Sequence, residues 1–233
     1  MVVEQTHIPA ASLKSSRLLH RVSVLRAWNM TVLLIVMVAA IFVVPVMAPE
    51  GSLGEIINDV SLTLVLLCGA AAIAQRRTLH LVTVALCLVA IVLRWLEWLV
   101  PSGISTLWRE GSALLALVLV MGIVAVRVFE GGGAVTADRI IGAVVLYLLL
   151  GVAWAVAYDV VALHVPNAFA GGNVHAKGPA RWMYFSFVTL TTVGYGDITP
   201  VANTARSLAV LEALLGQLYP AIILARLVSL HSK

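Results

Sequence analysis

Six apolar runs, separated by short polar or charged breaks, set the pattern of the chain. They fall at 28–48, 56–74, 81–100, 112–128, 140–161 and 207–228. About 20 helical residues cross the hydrocarbon core of a bilayer, so each run predicts a membrane-spanning helix. The second run carries Asn58 and Asp59 at its edge and the fourth is short, which leaves their boundaries the least sharp. The first run follows Lys14, Arg17, Arg21 and Arg26 and ends in "PVMAPE", a layout shared with signal peptides. Signal cores are only about 7–15 residues long, so this run reads as a span. The expected fold is an all-α integral membrane protein.

Composition agrees. Of 233 residues, 61% are hydrophobic and 11% charged, against about 25% charged in soluble domains. So little polar surface cannot cover a soluble core of this size. The net charge of +4 does not point to nucleic acid, because the basic residues sit at span ends, where the positive-inside rule puts them. With the N-terminus in the cytoplasm, ten Lys and Arg fall inside, four (Arg109, Lys177, Arg181, Arg206) outside, and Arg94 within a span. Both termini are therefore expected inside. Trp28 then lies near the inner interface and Trp95, Trp98 and Trp108 near the outer one, where amphipathic rings prefer to sit. Cys68 and Cys87 fall inside apolar runs and are expected as free thiols.

Between the last two runs stands "TLTTVGYGDITP", rich in hydroxyls and glycine. Non-helical backbone at membrane depth is tolerated only where protein buries it or water lines it. Gly194 and Gly196 adopt positive φ without a steric penalty. Alternating them with Val193 and Tyr195 lets successive carbonyls face one side, and the Thr192 hydroxyl adds an oxygen at one end. One chain supplies one wall of such an oxygen ladder. A dehydrated alkali cation needs a ring of them, and a four-fold ring replaces its hydration shell.

The stretch "TTVGYGD" resembles the signature of the tetrameric potassium channels, whose filter reads TVGYG. "RWMYFSFVTLTT" is similar to their short pore helix, with an apolar span on each side. The likeness covers 138–228, while the first four spans match the six-span members only in number and placement. It implies a re-entrant pore helix from near Pro179 to Thr191–Thr192 between helices five and six. It also implies a filter of Thr192, Val193, Gly194, Tyr195 and Gly196 holding K+ ions, and assembly as a homotetramer in the cell membrane. The implied domains are a cytoplasmic segment 1–26, a four-helix membrane domain 27–130 resembling a charge-depleted voltage sensor, a linker 131–139 and a pore domain 140–233.

Around the filter, Trp182, Tyr184, Asp197 and Glu212 are expected as supports. Some relatives carry a Glu at the position of Val188 that pairs with the following Asp, and that brace is missing here. Asp197 then accepts from Trp182 or Tyr184, or stands solvated at the mouth. Glu212 has three readings: bracing the pore helix through a Thr hydroxyl, meeting Arg206, or staying neutral and bonded to a neighbour. Pro220 frees the carbonyl of Gly216, which suggests a gating hinge or fixed kink at these two residues, although membrane helices tolerate both residue types. Arg94 and Glu97 stand one turn apart and are expected to pair near the outer end of their span. Span four, "SALLALVLVMGIVAV", holds no charge, and the glycines at 131–133 make a poor lever, so little voltage sensing is expected. His164 and His175 offer a minor route to pH sensing. Few residues follow the last run, so no attached regulatory domain is expected after it. No nucleophile–base pair, metal cluster or phosphate-binding loop supports an enzyme. The alternatives to a potassium-selective channel are a non-selective cation channel, which Tyr195 argues against, and a non-conducting ion-sensing or regulatory subunit.

Overall fold

A computed structural model describes residues 30–47, 51–71, 77–100, 105–129, 136–171 and 180–231. The expectations placed on the segment 1–26, on Trp28, Arg76, Lys177, His175, Pro179 and Lys233, and on the glycines at 131–133 lie outside these residues. Among the described residues, six helices are long and apolar enough to cross a membrane. They are α1 (Met30–Met47), α2 (Ser52–Ala71), α3 (Arg77–Leu99), α4 (Thr106–Phe129), α5 (Ala137–His164) and α7 (Asn203–His231). A short helix, α6 (Ala180–Leu190), lies between the last two. Strands β1 (Phe169–Gly171) and β2 (Ile198–Pro200) flank it in sequence.

The apolar runs set these helices, but their ends differ from the expected ones by several residues, because polar residues extend the hydrogen-bonded turns. Helix α4 begins at Thr106 rather than 112, taking Arg109 and Glu110 into its first turns. Helix α1 opens into a π-helical stretch at Ala39–Val43, where the Val44 N–H reaches the Ala39 carbonyl five residues back. Pro45, one residue on, has no N–H to donate, and the register shift falls beside it.

Helix α4 forms the centre of the larger core, with Ala113, Ala116, Leu117, Val120 and Val124 fully buried. Small residues at such positions let helix backbones approach closely. It packs on α3 and α5, and α5 packs in turn on α6. A second core gathers Tyr158, Phe169, Trp182, Phe185 and Ile198 around α6 and the two strands.

The intramembrane charges pair differently from expectation. Arg94 does not meet Glu97. Its two Nη atoms reach Asp59 of α2 at 2.5 Å and Glu110 of α4 at 2.8 Å. All three residues are buried, so Arg94 does not snorkel and Asp59 is not at an edge. A buried cation with two carboxylates needs every remaining donor and acceptor used, and the Trp98 indole N–H fills one place, 2.9 Å from the other Asp59 oxygen. Glu97 instead pairs with Arg109 at 2.6 Å, both side chains partly exposed. A cavity of about 410 Å³ adjoins this cluster and reaches Asp159 of α5 and Arg181 of α6. Partly exposed pairs contribute little. Glu97→Gln is therefore expected to cost no more than about 1 kcal/mol, read as a small shift in thermal unfolding of the detergent-solubilised protein.

Candidate functional site

Helix α6 ends at Leu190, and the chain turns through Thr191 and Thr192 into the 192–196 segment. The Val193 N–H reaches back to the Val188 carbonyl at 3.0 Å and the Thr192 N–H to the Thr189 carbonyl at 2.9 Å. These two bonds are those of a Schellman cap, which needs a left-handed residue between them. Thr192 fills that place at φ +60. Glycine is the usual occupant, and a β-branched residue there is an outlier held by its surroundings. Positive φ then recurs at every second residue, at Gly194 (+58) and Gly196 (+78), while Val193 and Tyr195 between them have none. Alternation of this kind aims successive carbonyls to one side. Residues 191–197 are all exposed in the single chain. A Cβ added at Gly194 or Gly196 would meet nothing within 4 Å.

Beyond the segment the chain is clamped. Strand β2 pairs antiparallel with β1, with Gly171 opposite Ile198 and Phe169 opposite Pro200. The Val201 and Ala202 N–H groups both donate to the Ala168 carbonyl. The Asp197 carbonyl lies so close to Gly171 that no side chain would fit there.

The supporting residues fall in distinct places. Trp182 is 1% exposed and packs against Phe169 at 4.6 Å between ring centres. Its indole N–H faces the Asp159 carboxylate without closing a hydrogen bond, and Asp197 is not its partner. Tyr184, rather than Trp182, is the residue that faces Asp197. Its ring stacks on Tyr195, 6.5 Å centre to centre and 5° from parallel. Glu212 sits behind α6, fully buried. It meets neither a Thr hydroxyl nor Arg206, which donates to the Pro200 carbonyl. Its partners are Ser186 of α6 and Tyr158 of α5, each at 2.6 Å. Sequence reasoning missed both, because neither lies within a helical turn of Glu212.

Helix α7 runs through Gly216 and Pro220 without a break. Gly216 has a second task. A Cβ there would fall inside the van der Waals radius of the Leu190 carbonyl oxygen, where α6 and α7 touch through bare backbone. Tyr147 of α5 also approaches this carbonyl, at 3.4 Å. His164 bonds the Val160 carbonyl of its own helix at 2.8 Å.

This geometry occupies the region that comparison with known proteins picks out. Residues 142–233 match the ion-channel family model. The match takes in most of α5, all of α6 and the 192–196 segment, and α7. Residues 142–233 thus resemble an ion-channel domain, within a multi-pass membrane protein. It is 52% identical over 63 residues to protein LctB of Geobacillus stearothermophilus, covering 27% of this chain and 45% of that one. It is 48% identical over 46 residues to protein LctB of Bacillus caldotenax, covering 20% and 34%. The chain thus spans less than half the length of these curated relatives. No solved structure matches it.

Proposed function

We propose that the protein is the subunit of a homotetrameric, potassium-selective channel. In it, α6 is a re-entrant pore helix, 192–196 is the selectivity filter, and α5 and α7 line and support the pore. The observation that carries this reading is the left-handed backbone at Thr192, Gly194 and Gly196. Four such segments around an axis offer stacked rings of main-chain oxygens in place of the water around K+. Two further observations support assembly. The segment has no covering in a single chain, and only 11% of the Asn203–Arg226 window of α7 is buried, against 50% of α5. The C-terminal end of α6 then directs its negative dipole toward a waiting cation. The first four helices form a voltage-sensor-like bundle over 27–130, the pore domain spans 140–233, and both termini face the cytoplasm of a cell membrane. Gly216 and Pro220 remain the proposed bending point of the inner helix.

Purified protein in liposomes tests the reading. Passive K+ flux, with a reversal potential in mixed salts that follows the K+ gradient, is the expected result. Equal passage of Na+ would make the channel non-selective. Assembled tetramers silent under every stimulus would leave the non-conducting sensor subunit instead.

The bundle predicts a weak response to voltage. Each charge that crosses the field is worth about 2.3 kcal/mol per 100 mV. Arg94 is held by two carboxylates, and Arg127 at the end of α4 pairs with Asp138 at 3.0 Å. No free charge is left to travel along the middle of α4. Conductance recorded across a range of membrane potentials is expected to show no steep activation, and a steep one would contradict this arrangement.

A further inference from the structure

Behind α6, three oxygen–oxygen contacts join four residues in a buried row. The Tyr158 hydroxyl lies 2.6 Å from Glu212 Oε2, the Ser186 hydroxyl 2.6 Å from Glu212 Oε1, and the same Ser186 oxygen 2.8 Å from the Gly151 carbonyl. Tyr158, Ser186 and Glu212 are each 0% exposed. Each contact needs one proton, and a hydroxyl carries only one. Tyr158 supplies the first. Ser186 can supply one of the two contacts at its oxygen. The Gly151 carbonyl has none to give, so the third proton must come from the carboxyl group. Without it, two lone pairs would face each other at one of these short distances. Among the described residues, no salt bridge involves Glu212, and an unpaired buried carboxylate is costly.

The geometry points to Glu212 as a neutral, proton-carrying positioning residue in a one-way hydrogen-bond relay. Tyr158 O–H donates to Glu212 Oε2, Glu212 Oε1–H donates to Ser186 Oγ, and Ser186 O–H donates to the Gly151 carbonyl. The relay touches α5 at two places two turns apart, α6 at its middle and α7 once. It therefore fixes how α6 stands between the two long helices, and with it where the 192–196 segment begins. A second lone pair of the Gly151 carbonyl accepts from Ser186, so the α5 helix gives up no bond of its own.

The direction of the relay makes a sharp distinction between substitutions. Glutamine carries an N–H₂ in place of the acidic O–H and keeps a carbonyl for Tyr158. Glu212→Gln therefore preserves every contact if the acid is neutral. The Ser186 hydroxyl then donates to the Gly151 carbonyl and accepts from the amide, so the glutamine reproduces the relay and the proton on the wild-type acid is read separately by infrared absorption. Glu212→Leu removes the relay and leaves the Tyr158 hydroxyl unpaired. Ser186→Ala breaks it at the centre with little change in volume.

The test uses the full-length protein in lipid vesicles. Infrared absorption is expected to show the carbonyl stretch of a neutral carboxylic acid in the wild type, lost in Glu212→Gln. That readout does not depend on conduction, so it still answers if the channel reading above fails. The functional arm rests on that reading. Glu212→Gln is expected to keep K+ flux and K+-over-Na+ preference, while Ser186→Ala and Glu212→Leu lose about tenfold in flux or in preference, since a buried group is left unsatisfied. A carboxylate band in place of the acid band at position 212 would overturn the proton assignment. Gln and Leu variants with equal loss, or Ser186→Ala with none, would overturn the positioning role.

Discussion

Gly194→Ala is expected to lower K+ flux by about a thousandfold or more while the tetramer still assembles. The residue stands at φ +58, where an L side chain costs about 1–2 kcal/mol. The space around it is open, since a Cβ would meet nothing within 4 Å in its own chain. The effect is therefore conformational rather than a clash. In the proposed ring of four, the cost would be met four times in the same conducting state, about 4–8 kcal/mol in all, and every 1.4 kcal/mol is about a factor of ten. The substituted backbone is expected to relax by turning its carbonyl away from the axis of the proposed tetramer. Flux through liposomes, set beside size-exclusion of the same preparation, reads both halves of the expectation. Unchanged flux from intact tetramers would remove the filter assignment.

The second large effect is expected at Gly216. A Cβ added there would collide with the Leu190 carbonyl oxygen, carbonyl carbon and Cα. These are main-chain atoms, so no rotamer change makes room. Gly216→Ala must push α6 and α7 apart, which places it at or beyond the upper end of the about 1–3 kcal/mol usual for overpacking, in every chain. Loss of folded protein in detergent, or a large fall in unfolding temperature, is the expected outcome. Gly111→Ala provides the contrast. Its Cβ would meet nothing within 4 Å, and alanine gains up to about 1 kcal/mol of helix propensity there, so stability should hold or rise. If Gly216→Ala folds normally and changes only opening, the glycine serves as a hinge and not as a contact.

The helices were legible because a bilayer sets one length that every span must meet, and runs of that length can be counted. The short segment between the last two spans was legible for the opposite reason: Gly194 and Gly196 are out of place in a hydrocarbon setting. Side-chain partners were not legible. Arg94 has Glu97 one turn away, yet it takes Asp59 and Glu110, which lie 35 and 16 residues off. The short-range rule describes isolated helices, and here tertiary packing outweighs it. Glu212 was visible as an expensive residue, but Ser186 and Tyr158, at 26 and 54 residues distance, carry no signal of their own. Thr192 was hidden differently. Nothing in a threonine announces positive φ, and only the two cap bonds at the end of α6 reveal it.

The clamp between β1 and β2 has a mechanical consequence. The 192–196 segment is tethered at one end by the Val188 and Thr189 carbonyls and at the other by the strand pair and the Ala168 carbonyl. A cord fixed at both ends has no slack to take up. In the proposed channel, a displacement of the turn that follows α5 would pass through the strand pair to Asp197 and onward along the segment, which gives that turn leverage over the filter.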